Sequence, residues 1–252
     1  DLTLIYRNYT SRQFISFEVF RRRYAYPSLV AIGLLYNLGI WIDKFMFWYA
    51  PSTGHQVIGP LRASIIYDIP VFLAYLAIIP GMAVFLVRIE TDFVEYYDAF
   101  YDAVRGGSSL EHIEDMRNTM VQTIRLGLYE IVKVQAIAAL LLFAVGTWVL
   151  RLLGISELYL PLLYVDVIGA SLQVVLLGVL NIYFYLDRRR EVLLLTALFV
   201  VLNCALTLLT LQLGPAWYGY GFAVSLLVVV ALALAMLDHK LERLEYETYM
   251  LQ

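Results

Sequence analysis

The chain has 252 residues, of which 62% are hydrophobic and 15% charged, where soluble domains run at about 45–50% and about 25%. An ordinary water-soluble domain is excluded: a single core stops growing near about 250–300 residues and still needs a charged shell, so the surplus apolar surface must face lipid. A net charge of −3 points to neither nucleic acid nor an acidic substrate, and a single cysteine, Cys204, excludes an intrachain disulfide or a CxxC metal or redox site.

The sequence opens on Asp1 without a signal-peptide pattern, and the expectation is a fragment or mature piece of a longer protein. Residues 1–26 read as a basic amphipathic interfacial segment, with Phe14, Phe17 and Phe20 beside Arg21, Arg22 and Arg23, suited to anionic lipid. A helix needs about 20 apolar residues to cross a hydrocarbon core of about 30 Å. Six runs of that length follow: Pro27 to Ala50, Ile65 to Val87, Gly127 to Leu150, Leu158 to Leu186, Glu191 to Leu213 and Ala216 to Leu237. The first two make a transmembrane hairpin over 27–87. Within the second, Pro70, Pro80 and Gly81 are the hinge candidates, because a missing amide donor and a ring clash bend a helix.

Residues 88–126 predict a cytoplasmic amphipathic helical hairpin. Phe93, Tyr97, Phe100 and Val104 share one face, Gly106 and Gly107 break the helix, and Ser108 with Glu111 reads as a capping box. This hairpin is either a docking face for a cytoplasmic partner or a plain interfacial connector. Residues 127–237 form a four-helix transmembrane region with short late connections, and 238–252 a cytoplasmic helical tail. Lys and Arg crowd one set of connections, while Arg62 and Arg151 alone stand in the other. By the positive-inside rule both ends of the chain lie in the cytoplasm.

Ionisable groups within spans usually face a bundle interior or a wet cavity. Asp43, Lys44, Asp68 and Asp166 are candidates for a substrate pathway, the three acids in the outer third. On helical spacing Lys44 shares a face with Asn37 and Asp43 with Tyr36, while Asp43 and Lys44 diverge by about 100°. Two readings stay open: a structural Lys44–Asp68 pair, or an electronegative stretch of a hydrophilic cavity. Glu130 and Lys133, three residues apart, read as a local ion pair. Asn181, Asn203, Gln135 and Gln173 offer amides for sugar hydroxyls or for bonds between helices.

No GxxxxGK[ST] loop, HExxH set or GxSxG elbow is present. His55, His112 and His239 are far apart, so the sequence predicts no enzyme, no cofactor and no metal. Work must come from an ion gradient, from polymer pushed in by a partner, or from neither.

The runs YNLGIWIDKFMFW (Tyr36 to Trp48), VIGPLRASIIYDIP (Val57 to Pro70) and IIPGMAVFLVRIETDFVEYY (Ile78 to Tyr97) carry a resemblance. So do LGISELYLPLLYVDV (Leu153 to Val167), GVLNIYFYLDRRR (Gly178 to Arg190), GPAWYGYGF (Gly214 to Phe222) and LERLEYETYMLQ (Leu241 to Gln252). Together they resemble the C-terminal half of the PelG family, the transporters of the Pel exopolysaccharide system within the multidrug/oligosaccharidyl-lipid/polysaccharide flippase superfamily. The resemblance implies two six-helix lobes around a central cavity, of which this chain forms one. It further implies export of an N-acetylgalactosamine-rich, partly deacetylated polymer across the bacterial inner membrane. Implied partners are the glycosyltransferase PelF and the membrane proteins PelD and PelE. It supplies no catalytic residue.

The expected fold is therefore an all-α integral membrane protein, six transmembrane helices forming one lobe of a flippase-like transporter, with cytoplasmic interfacial helices. The expected function is passage of polysaccharide past the polar groups above. A membrane scaffold holding the glycosyltransferase is the alternative, and a membrane-embedded enzyme on lipid-linked sugars is a third reading without a convincing acid, base or metal set.

Overall fold

The computed structural model describes residues 26–242. The expected basic interfacial segment, up to residue 25, and the tail beyond Glu242 lie outside the described residues.

Pro27, with φ already set for a helix and no amide to lose, opens α1 (Pro27–Tyr49). A short antiparallel hairpin, β1 (His55–Ile58) and β2 (Leu61–Ala63), turns at Gly59, whose φ of 55° suits glycine. Then come α2 (Ile65–Leu76), α3 (Ile79–Val87), a π-helical turn (Arg88–Phe93) and α4 (Val94–Arg105). The chain continues through α5 (Leu110–Leu152), α6 (Leu160–Tyr185), α7 (Arg189–Leu213) and α8 (Tyr220–Glu242).

Among the described residues five helices are long and apolar enough to cross a membrane, and the bent pair beginning at α2 makes a sixth. The molecule is an all-α membrane protein, as its composition required. One end of the bundle carries the β-hairpin and the turns at Glu157–Tyr159 and Pro215–Trp217; the other carries Arg88 and Asp187.

The centre of the bundle is α6, where Leu163, Val167, Val179, Ile182 and Tyr183 have no exposed surface. It packs on α8, α5 and α2, while α7 joins α8 to the peripheral α1. Small residues let backbones approach. A methyl group at Gly221 would stand 2.7 Å from the Thr207 amide nitrogen, so the α7–α8 contact tolerates no side chain there.

The bend of 40° falls between α2 and α3. Pro70 lies inside α2 without ending it, whereas Pro80 sits in the first turn of α3, just past the break. There the Ala77 carbonyl accepts from Gln135 Nε2 of α5 (3.0 Å), which also donates to Ser171 Oγ of α6 (3.1 Å). A carbonyl freed at a broken helix in lipid needs such a partner. A Cβ at Gly81 would fall 2.2 Å from Gln135 Oε1, so this glycine makes room for the latch.

Helix boundaries around 88–126 differ from the expected ones. The break at Gly106 and Gly107 is present, but Ser109, not Ser108, caps α5 by accepting from the His112 amide. From there α5 runs through Gly127 without interruption. Its 43 residues make a rod of about 65 Å, roughly twice the hydrocarbon thickness. Charge alone does not end a helix: nothing between Leu110 and Gly127 is Gly or Pro, and α4 and the π-helical turn pack against α5. The expected surface hairpin is thus a projection of two spans.

Candidate functional site

Helical phase decides which polar groups meet. On α1, Gly39, Asp43 and Phe47 are buried, Gly39 against Phe199 and Asp43 against Asn203 of α7; on α2 the buried face is Tyr67, Val71 and Ala74. Asp43 has no exposed surface and is held from three sides. Tyr67 Oη donates to its Oδ2 (2.6 Å), Lys44 Nζ approaches the same oxygen (3.1 Å), and Asn203 Nδ2 of α7 lies 3.4 Å from Oδ1. Asn203 Nδ2 also donates to the Gly39 carbonyl (2.8 Å), and its Oδ1 accepts from Thr207 Oγ1 (3.0 Å). The Phe47 ring stacks on Tyr67 at 3.8 Å, with Tyr218 edge-on.

The divergence expected between Asp43 and Lys44 does not keep them apart. The four-carbon stem of Lys44 curls back along its own helix, donating to the Ile40 carbonyl (2.9 Å) as well as to Asp43. Its ammonium lies over the rings of Phe222 (4.6 Å) and Tyr75 (5.4 Å). Asp166 of α6, 1% exposed, faces the same cluster, and neither of its oxygens has a hydrogen-bond partner. Tyr75 donates to Gln173 Oε1 (2.7 Å), with Tyr36 beside that amide. Asp43, Lys44 and Asp166 therefore gather into one closed, low-dielectric cluster with Tyr67, Tyr75 and Asn203.

The other candidates go elsewhere. Asp68 does not pair with Lys44: it lies one residue off the buried face of α2, accepts from Trp48 Nε1 (2.8 Å) and caps the Ser64 amide (2.9 Å). Glu130 does not pair with Lys133. Arg88 takes it with two nitrogens, Nη2 at 3.1 Å, and holds Asp92 at 2.7 Å, while Lys133 lies over the Tyr129 ring. Arg88 wins because its planar fork matches a carboxylate. Asn181 sits at the opposite end of the bundle, bonded to Glu90 of the π-helical turn. Asn37 is exposed, its Nδ2 on the Gly33 carbonyl (2.8 Å).

That exposed face of α1 holds a second arrangement. Trp41 is 45% and Phe45 41% exposed, and both rings meet Trp48. They flank a groove of about 810 Å³ lined by Leu29, Val30, Gly33, Asn37, Trp41 and Phe45. Asn37 stands about 15 Å along α1 from Pro27, near mid-depth of the bilayer, where an amide facing lipid is costly. Asn37, Trp41, Phe45 and Trp48 recur at helical spacing, a signal that the expectations from sequence did not use.

A family model described as PelG, "Putative exopolysaccharide Exporter (EPS-E)", matches residues 1–249. No curated protein and no solved structure matches the chain.

Proposed function

This chain belongs to the PelG family of exopolysaccharide exporters, and on that premise we propose that it moves the Pel polymer, rich in N-acetylgalactosamine, across the bacterial inner membrane. In this reading both chain ends are cytoplasmic, so the β-hairpin end faces outward, and the polymer arrives from PelF with PelD and PelE alongside. Cargo slides along the exposed face of α1, not through the middle of the lobe. The observation that carries this is the mid-depth amide of Asn37 set among exposed aromatic rings. Aromatic faces and amides suit sugar rings and hydroxyls, whereas lipid tails ask for neither. The closed Asp43, Lys44 and Asp166 cluster is then not a sugar-binding surface but part of what drives or holds the lobe.

A second reading, the synthase scaffold, is favoured by the projecting rods α4 and α5, with Arg105, Glu111, Glu114 and Asp115 exposed. One experiment tests both. The full-length protein is reconstituted in vesicles with its synthase, and labelled polymer is scored in the lumen. Export predicts luminal polymer only when this protein is present. Luminal polymer without it removes the exporter reading; if the synthase then also leaves the vesicle surface, the scaffold reading takes its place.

A further inference from the structure

Buried carboxylates are ordinarily paired or hydrogen-bonded. Asp43 obeys that rule, accepting from Tyr67 and Lys44. Asp166 does not: both oxygens are buried and without a donor among the described residues. The titratable groups facing it are Lys44 and Asp43 from α1 and Tyr67 and Tyr75 from α2, while α7 and α8 contribute the uncharged Asn203, Thr207 and Phe222. One ammonium thus serves two carboxyl groups, and here it is bound to Asp43.

A cavity also lies close to Asp166. It is the seventh residue of α6, about 10 Å below the β-hairpin end. Above it a cavity of about 600 Å³ is lined by Ser156, Tyr159, Leu162, Pro215, Tyr218 and Tyr220. Between cavity and carboxyl stands Gly219, at φ 82°; a Cβ there would lie 2.8 Å from Asp166 Oδ1 and 2.7 Å from Leu162. The carboxyl is closed off in this state, with the backbone of Gly219 packed against it on the cavity side.

We propose that Asp166 is a proton-exchange site, loaded and emptied through this cavity, whose carboxyl competes with Asp43 for the Lys44 ammonium. With the proton on Asp166, the acid is neutral and Lys44 stays with Asp43, the arrangement seen here. When the proton leaves to water in the cavity, the new carboxylate draws Lys44 away from Asp43 and from the Ile40 carbonyl, loosening α1. Because α1 also carries the aromatic groove, proton exchange and cargo movement share one helix. This deepens the export reading and rests on it only for the coupling.

The test is the infrared difference spectrum of the purified full-length protein between acidic and alkaline buffer. A protonated-carboxyl stretch should bleach at alkaline pH, vanish in Asp166→Asn and persist in Asp68→Asn. Asp166→Glu should shift the band without abolishing it, which separates titration from misfolding. Identical spectra for wild type and Asp166→Asn overturn the site. A titrating Asp166 whose Asn variant exports polymer normally overturns the coupling alone, and export that is indifferent to deleting the whole protein overturns the export reading instead.

Discussion

Replacing Asp43 by alanine is expected to remove about 3–5 kcal/mol of folding stability, the usual cost of breaking a buried ion pair and leaving one charge behind. While Asp166 keeps its proton, Lys44, 5% exposed, would hold its ammonium with only the Ile40 carbonyl and two ring faces. Tyr67 Oη, fully buried, would lose its acceptor, and Asn203 one of its two. Denaturant unfolding in mild detergent measures the loss. Asp43→Ala combined with Lys44→Met should recover a large part of it, because with both charges gone no buried ammonium is stranded. If the double variant is as unstable as the two single losses added together, the pair is not the coupled unit described here.

The second large effect concerns export. Trp41→Ala with Phe45→Ala removes two half-exposed rings that meet each other and Trp48. Because both rings are half-exposed, the loss of stability should be smaller than that of Asp43→Ala. An aromatic contact contributes about 1 kcal/mol, so losing two should weaken the hold on polymer roughly thirty-fold. Secreted polymer, compared at equal membrane levels of the protein, reads the effect. Unchanged secretion would mean that these rings face lipid.

Much of the architecture was legible because it rests on length and apolarity: a run of about 20 apolar residues has few other fates. What escaped depends on phase and on partners far along the chain. Asp68 looked as good a cavity acid as Asp43, but the rotation of α2 puts its neighbour Tyr67 on the buried face, in step with Val71 and Ala74. That phase could have been read from the sequence; the meeting of Tyr67 with Asp43 could not. Lys44 was assigned a direction from its Cα, although its long stem reaches back past that direction. Glu130 found Arg88, 42 residues away, in preference to the nearby Lys133. The β-hairpin was missed because seven strand residues show no clean alternation, and all of His55–Ile58 is exposed.

Thiol accessibility tests the central claim, that cargo follows the outside of α1 while the charged cluster is closed. With Cys204 replaced by serine, a single cysteine is placed at Asn37→Cys, in the groove, or at Thr207→Cys, in the cluster. During polymer synthesis, a water-soluble thiol reagent should label position 37 in the absence of polymer and lose access as polymer passes, while position 207 stays unlabelled throughout. Labelling at position 207 that polymer blocks, with position 37 inert, would place the sugar path through the middle of the lobe and contradict the account.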